Sequence, residues 1–160
     1  HARMSSPHPL LTTVRELLAK SPVRWPTVLE RVLAHFACPC GTIHLIDPKD
    51  GVLHLTTHRG LPPPVIDKVQ LVPIGKGMAG LAAERKQPVQ VCNLQSDTSG
   101  QARPGAKLTQ MEGSLAAPML AGERLAGVFG IAKPVPYEFT ADEQQLLMDV
   151  GALVAKKQLG

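Results

Sequence analysis

The sequence predicts an α+β domain built on an antiparallel sheet of about six strands. Three observations carry this. Apolar residues recur at helical spacing near both ends of the chain, over 10–20, 26–36 and 139–157. Alternating or continuous apolar segments fill the middle. Two pairs of those segments are separated only by short turns, which antiparallel neighbours allow and parallel ones do not.

In LLTTVRELLAK (10–20), Leu11, Val14, Leu17 and Leu18 share a stripe, and the two prolines of SPVRWP end it. PTVLERVLAHF (26–36) opens on Pro26, whose fixed φ suits a first helical turn, and Val28, Leu29, Val32, Leu33 and Phe36 form its apolar face. The period then changes to two. GTIHLID (41–47) and VLHLTTHRG (52–60) alternate around DPKDG, a hairpin signal. With Ile46 opposite Val52, His44 opposes His54, while Ile43 and Leu45 share the other face with Leu53 and Leu55. LPPPVIDK (61–68) reads as a short helix and QLVPI (70–74) as a third strand. A helix over 78–85 follows GKGMAG, and VQVC (89–92) is a fourth strand. Residues 93–112 are rich in Ser, Thr, Asn, Asp and Gly, and read either as a lid or as a surface excursion. GSLAAPML (113–120) and LAGVFGIAK (125–133) flank AGER as near-continuous apolar runs, the pattern of strands covered on both faces. In the last helix Thr140 and Glu143 form a capping box, and Leu146, Leu147, Val150, Leu153 and Val154 form the stripe.

The length suits one domain with a sizeable core. His1-Ala2-Arg3 precede Met4 and read as extraneous to the domain; 4–25 is an N-terminal helix with a linker, and 26–157 is the domain proper. No apolar run approaches the roughly 18 residues of a membrane helix, and no secretory signal is visible, so a cytoplasmic protein that binds no membrane is expected. The net charge is +4, but no basic run exceeds two residues and only five aromatics occur, so nucleic-acid binding is not expected. Three cysteines, Cys38, Cys40 and Cys92, form an odd set without a disulfide pattern and are expected to be reduced.

GKGMAG (75–80) spells G-x-G-x-x-G. A dinucleotide turn also needs a long crossover helix, a parallel strand and an acidic residue at that strand's end. Here Lys86-Gln87-Pro88 stops the helix early and the next strand ends in Cys92-Asn93, so the glycines are read as a sharp turn and a close helix contact. In the hairpin register above, Cys40, His44, His54 and His58 fall on one face, yet no metal-ligand spacing accompanies them and no metal is expected. No G-x-S-x-G elbow occurs, and Asp142-Glu143 sit at a helix start where the dipole favours them.

From about Pro26 to Lys156 the chain resembles the GAF domain family. The pieces run in that family's order: VLERVLAHF, the hairpin GTIHLIDPKDGVLHLTTHRG, the turn-helix-strand IGKGMAGLAAERKQPVQVCNL, the hairpin GSLAAPMLAGERLAGVFGIA and the helix FTADEQQLLMDVGALVA. The resemblance implies a profilin-like sheet with the terminal helices on one face. A small-molecule pocket is implied on the other, under short helices and the variable loop. It also implies a non-catalytic sensor in signal transduction, with an unidentified small molecule and a signalling protein as partners. The wide apolar stripes of the terminal helices are expected to pair with those of a second copy, giving a dimer. No cofactor is named by it. Strand alternation and the family layout together nominate His44, His54, Thr56, Met111 and Ser114 as pocket residues.

The family also includes the free methionine-(R)-sulfoxide reductases, whose three functional cysteines set the alternative reading. The positions matching two of them hold Val69 and Ala79, and the loop 93–112 that would hold the third contains none; Cys92 is the nearest stand-in. Cyclic-nucleotide members carry an Asn-Lys pair before Phe and Asp-Glu; this chain has Ala132-Lys133, Phe139 and Asp142-Glu143, without the asparagine. The Cys-His pair that resemblance to bilin-binding members would require is not present.

Overall fold

The helical periods at the chain ends and the extended segments between them take shape as five α-helices, one 3-10 helix and six strands in the computed structural model, which describes residues 8–160. The segment 1–3, read above as extraneous, lies outside the described residues, as does the start of 4–25.

Helix α1 (Pro9–Leu18) starts where the His8 ring accepts a hydrogen bond from the Leu10 amide at 3.0 Å. Its buried stripe is Leu10, Val14 and Leu18, with Leu11 and Leu17 half-buried at the margins. Helix α2 (Trp25–Phe36) buries all five residues of the expected face, Val28, Leu29, Val32, Leu33 and Phe36. It ends on Ala37 in the left-handed conformation, and the Lys133 ammonium donates to the Phe36 carbonyl at 2.6 Å, occupying one of the orphan acceptors of a helix end.

The six strands form one antiparallel sheet in the order β3 (Leu71–Val72), β2 (Leu53–Arg59), β1 (Cys40–Ile46), β6 (Arg124–Lys133), β5 (Gly113–Ala121) and β4 (Val89–Val91). The edge strands are two and three residues long, and Pro73 follows one while Pro88 precedes the other. One sheet face packs against α1, α2 and α5 (Ala141–Leu159). There Ile43, Leu115, Phe129 and Ile131 meet Val14, Leu29, Val32, Leu147 and Val154, all at most 1% exposed. On the other face α4 (Gly77–Arg85) buries Ala82 and Ala83 in a smaller cluster with Leu53, Val72, Val89, Ala116 and Val128. The α5 start has the expected box: the Glu143 amide donates to Thr140 Oγ1 at 3.1 Å, and the Thr140 amide to Glu143 Oε1 at 2.9 Å. Among the described residues no helix is long and apolar enough to cross a membrane.

The first hairpin differs from its expected register by one residue. Ile46 opposes Leu53, Leu45 opposes His54 and His44 opposes Leu55, after which the pairing shifts and Ile43 opposes Thr57. The turn explains the slip. Asp47 Oδ1 accepts from the Lys49 amide at 2.8 Å, Asp50 Oδ1 accepts from the Val52 amide at 2.9 Å, and Gly51 takes φ +68°. The turn closes with the Asp47 amide donating to the Val52 carbonyl at 3.0 Å, so Val52 belongs to the turn. Thr56 is the extra residue of the bulge that follows. A one-residue slip moves a whole strand's side chains to the other face. His54 therefore shares the helix-side face with Leu45 rather than the face of His44.

At the sheet centre β6 crosses β1 so closely that a Cβ at Gly127 would collide with the His44 carbonyl oxygen and crowd Leu45. Gly127→Ala is expected to lower the stability of the fold by about 1–3 kcal/mol, because backbone rather than a flexible side chain would have to move. Urea denaturation monitored by circular dichroism reads this directly; an unchanged midpoint would contradict the close approach.

Candidate functional site

A cavity of about 570 Å³ lies between the second sheet face, α3 (Pro63–Lys68), the start of α4 and the loop before β5. Its floor exists because the strands alternate in size. Cys40 and Thr42 on β1, Gly130 and Ala132 on β6, and Ser114 and Ala116 on β5 point into it. They are register neighbours: Cys40 opposes Ala132 and Ala132 opposes Ser114, while Thr42 opposes Gly130 and Gly130 opposes Ala116. The same strands present Ile43, Leu115, Phe129 and Ile131 to the helix-side core. Large residues fill one face and small ones leave the other hollow. A Cβ at Gly130 would stand 2.8 Å from Thr42 Oγ1.

Val65 and Val69 form part of the wall, and the residues from Ala102 to Ala106, with Thr109, form the roof. The roof belongs to the polar segment 93–112, which is tied down at several points. The Leu94 amide donates to the Glu112 carbonyl at 2.8 Å. The Gln95 side-chain amide donates to the Lys107 carbonyl at 3.2 Å and to the Met111 carbonyl at 2.8 Å. Pro104–Thr109 forms the 3-10 helix, and the Arg103 stem lies against Gly77, where a Cβ would be 3.3 Å from its Cγ.

His44 is the one charged or imidazole side chain of the floor, and it is 3% exposed. Its Nε2 lies 2.8 Å from the Val69 carbonyl oxygen. A carbonyl only accepts, so Nε2 carries the hydrogen and Nδ1 the free lone pair. Nδ1 is buried with no partner among the described residues. Leaving such an acceptor unpaired costs about 1–3 kcal/mol. Burial holds the His44 pKa below the ordinary imidazole value, with the Val69 hydrogen bond a smaller opposing influence, so the ring is neutral near pH 7.

Three cations reach the rim: Lys68, Lys76 and Arg103. No aspartate or glutamate lines the cavity, and among the described residues none of the three has a carboxylate within 4.0 Å. Helix α4 begins at the same rim without a side-chain cap and without an acidic residue in its first turn. The amides of Gly77, Met78 and Ala79 have no hydrogen-bond partner among the described residues. The glycines of 75–80 build this turn. Gly75 and Gly77 have φ +89° and +64°, the Gly75 amide donates to the Gly80 carbonyl at 2.8 Å, and a Cβ at Gly80 would sit 2.5 Å from the Pro73 carbonyl oxygen. The strands flanking α4 lie at opposite edges of an antiparallel sheet, which is no crossover unit of the dinucleotide kind.

Of the five nominated residues, His44 and Ser114 line this cavity. His54, Thr56 and Met111 do not. His54 stands on the other face at the hairpin turn, 2.7 Å from Asp50 Oδ2 and 3.9 Å from Asp47 Oδ2. Thr56 is exposed in the bulge, its hydroxyl donating to the His54 carbonyl at 3.3 Å. Met111 is half-buried at the end of the loop. Sequence reasoning missed Lys68, Lys76, Arg103, Gly130 and Ala132. The small-large alternation over 113–117 and 129–132 was the available signal for the floor; nothing local marked the cations. The one group of metal-ligating atoms within 4.8 Å of one another among the described residues is Asp47, Asp50 and His54, exposed or half-exposed, and the His54–Asp50 hydrogen bond accounts for its closeness. Cys40 lines the floor, Cys38 packs in the helix-side core, and burial pushes both thiols up to about 11. Cys92 is exposed and off the cavity.

Residues 26–156 match the sequence profile of the GAF domain. No curated protein sequence matches the chain. Its fold is similar to the GAF domain of an Acinetobacter phosphoenolpyruvate-protein phosphotransferase, with a TM-score of 0.74 at 18% identity over 94% of this chain and 90% of that one. It is also similar to the free methionine-R-sulfoxide reductase of Neisseria meningitidis, solved with its substrate, with a TM-score of 0.73 at 15% identity over 99% and 95%. The reduced fRMsr of Staphylococcus aureus follows at 0.63, with 17% identity over 97% and 99%. At these identities the likeness is one of fold.

Because the folded pKa of His44 lies below that of the unfolded chain, about 6.5, its contribution to stability is present above that pH. It is lost as pH falls and the unfolded chain takes up the proton first. His44→Gln is expected to flatten the fall of unfolding free energy between about pH 6.5 and 5 by up to roughly 1.4 kcal/mol per unit. His35, also held low by burial and by His8, keeps a residual slope in the variant. Urea titrations at four pH values check this; identical slopes would mean that His44 is not the group responsible.

Proposed function

The chain belongs to the GAF domain family, and on that premise we propose that it is a non-catalytic sensing domain that binds a small molecule in the cavity beneath residues 102–109. The observation that carries this reading is a largely apolar cavity of ligand size, about 570 Å³, left hollow by the small residues of the sheet and covered by a hydrogen-bonded roof. Binding would draw the roof and α3 more tightly onto the sheet, and the terminal helices on the opposite face would pass that change to a signalling partner. A second copy would pair through the half-buried margin of the same helices, Leu17, Leu146 and Leu153; a dimeric mass in light scattering is the expected result, and a monomeric mass at micromolar concentration would contradict the pairing.

The reductase reading draws on the fold likeness alone. Thiol redox turnover needs thiolates that meet in one place. Val69 and Ala79, which stand where the resemblance to the reductases puts two of the cysteines, both line the cavity wall, and Cys40 is its one thiol, held protonated by burial.

Native mass spectrometry of the purified protein, repeated after denaturation, tests the sensing reading. A ligand mass that is lost on denaturation, and absent from folded Ala106→Trp in which the roof would fill the cavity, is the expected result. Reduction of free methionine sulfoxide that disappears in Cys92→Ser would replace it with the reductase reading.

A further inference from the structure

The cavity has a deep zone and a rim, and the two differ in what they offer a ligand. The deep zone, the sheet floor with the wall made by α3, is built of small and aliphatic residues such as Ala116, Ala132, Val65 and Val72. Its ionisable side chains are Cys40 and His44. Burial keeps the Cys40 thiol protonated. His44 spends its N–H on the Val69 carbonyl, and its other ring nitrogen is shielded from the cavity. The rim cations Lys68, Lys76 and Arg103 are exposed, and pairing with an exposed cation is worth little. The start of α4 is no cradle for an anion either, since the Glu84 carboxylate lies against Gly75, 2.8 Å from where a Cβ would stand. An ion moved into the deep zone would lose its water and gain no partner, which is costly. A flat heterocycle or a quaternary cation would find no Phe, Tyr or Trp face, because among the described residues none lines the cavity. An uncharged apolar body gives up little on entering and gains contact with floor and wall.

One kind of polar group in the deep zone is open to a ligand, the hydroxyl. Thr42 and Ser114 are half-buried; neither hydroxyl makes a hydrogen bond among the described residues, and neither is closed off from the cavity as His44 Nδ1 is. Thr42 Oγ1 leans over Gly130, where a Cβ would come within 2.8 Å of it, so the absence of a side chain at 130 leaves this oxygen uncovered on the floor. We infer that the ligand is an uncharged, mainly aliphatic molecule. Its one polar group, a hydroxyl or a carbonyl, hydrogen-bonds the Thr42 hydroxyl, and its apolar body lies over the small-residue floor. This rests on the sensing reading and narrows it to one ligand class.

Three molecules with the same alkyl chain and different head groups test the assignment: 1-octanol, octanoate and octylammonium. Each is titrated below its micelle-forming concentration into the whole isotope-labelled protein at pH 7, and the amide resonances of Ala116, Gly130 and Ala132 report binding at the floor. The alcohol is expected to bind at least about tenfold more tightly than either ion. That preference is expected to survive added salt, because no surface ion pair takes part in it. Thr42→Val keeps the shape of the side chain and removes its hydroxyl; it is expected to weaken octanol about two- to tenfold, the span of one net hydrogen bond. Folded Ala106→Trp, whose ring would fill the cavity from the roof, is expected to abolish the shifts. Thermal unfolding checks that each variant is folded, and the comparison of head groups, which needs no variant, carries the test if one is not. Binding of octanoate or octylammonium at the floor as tight as that of octanol would overturn the uncharged class while leaving the sensing reading in place. Unchanged octanol binding in folded Thr42→Val would overturn the Thr42 contact. If none of the three moves the floor resonances, the inference falls, and a ligand mass in native mass spectrometry would then show that the sensing reading stands without it.

Discussion

The structure depends on the pairing of β1 with β6. The two hairpins are each assembled from chain neighbours, but in the strand order only this seam joins them, through the register running from Cys40 opposite Ala132 to Leu45 opposite Gly127. The seam sets both faces at once. On one side it brings Ile43 beside Phe129 beneath the terminal helices. On the other it aligns Cys40, Thr42, Gly130 and Ala132 into the hollow that becomes the cavity floor. Gly127 permits the backbones to approach closely at one end of the seam, and Gly130 keeps the floor open at the other. A shift of one residue here would exchange the packed face for the hollow one.

The polar groups of the domain divide into those that hold it together and those that are left free. Helix α5 has its first turn satisfied by the Thr140–Glu143 box, and Glu143 also accepts from the Tyr137 hydroxyl at 2.8 and 3.0 Å. Hydrogen bonds from Tyr137 and Thr140 outweigh its partial burial and hold the Glu143 carboxyl below its ordinary range. The Phe36 carbonyl at the end of α2 is occupied by Lys133, whose ammonium also lies 4.6 Å from the centre of the Tyr137 ring. Helix α4, like α2, starts without a side-chain cap, and His44 Nδ1 has no partner among the described residues. Buried unpaired groups are scarce in folded proteins because each carries a free-energy cost, and His44 Nδ1 is the one such side-chain atom among the described residues.

The elements were legible in the sequence to the extent that they obey a local period. The stripe of α2 and the capping box of α5 follow from spacing alone, since a helix's buried face is decided by residues three and four apart, whereas in α5 Leu146 and Leu153 of the expected stripe are only half-buried. The hairpin register was not legible, because it is decided by the side-chain hydrogen bonds of Asp47 and Asp50 within the turn and by a single extra residue at Thr56. Simple alternation groups His54 with His44, and that slip puts the two on opposite faces of the sheet. His44 and Ser114 could be nominated from alternation, but the state of the His44 ring depends on a Val69 carbonyl 25 positions away, and the rim draws Lys68, Lys76 and Arg103 from three separate segments. No window of sequence holds such an arrangement; only the assembled sheet with its covering loop does.

The edges of the sheet have a consequence for the molecule's behaviour in a crowd. An exposed strand edge offers unpaired backbone groups to any other extended chain, and that is the usual route to ribbons and fibrils. Here β3 presents two residues and β4 three, each bordered by a proline that cannot extend the ladder. The stretch of β2 beyond β3 is bent by its bulge and carries exposed His58 and Arg59, the arginine held 3.0 Å from Glu30. Each end of the sheet thus offers another extended chain only a short, interrupted ladder, which disfavours growth by strand addition although the ladder at the centre is continuous and antiparallel.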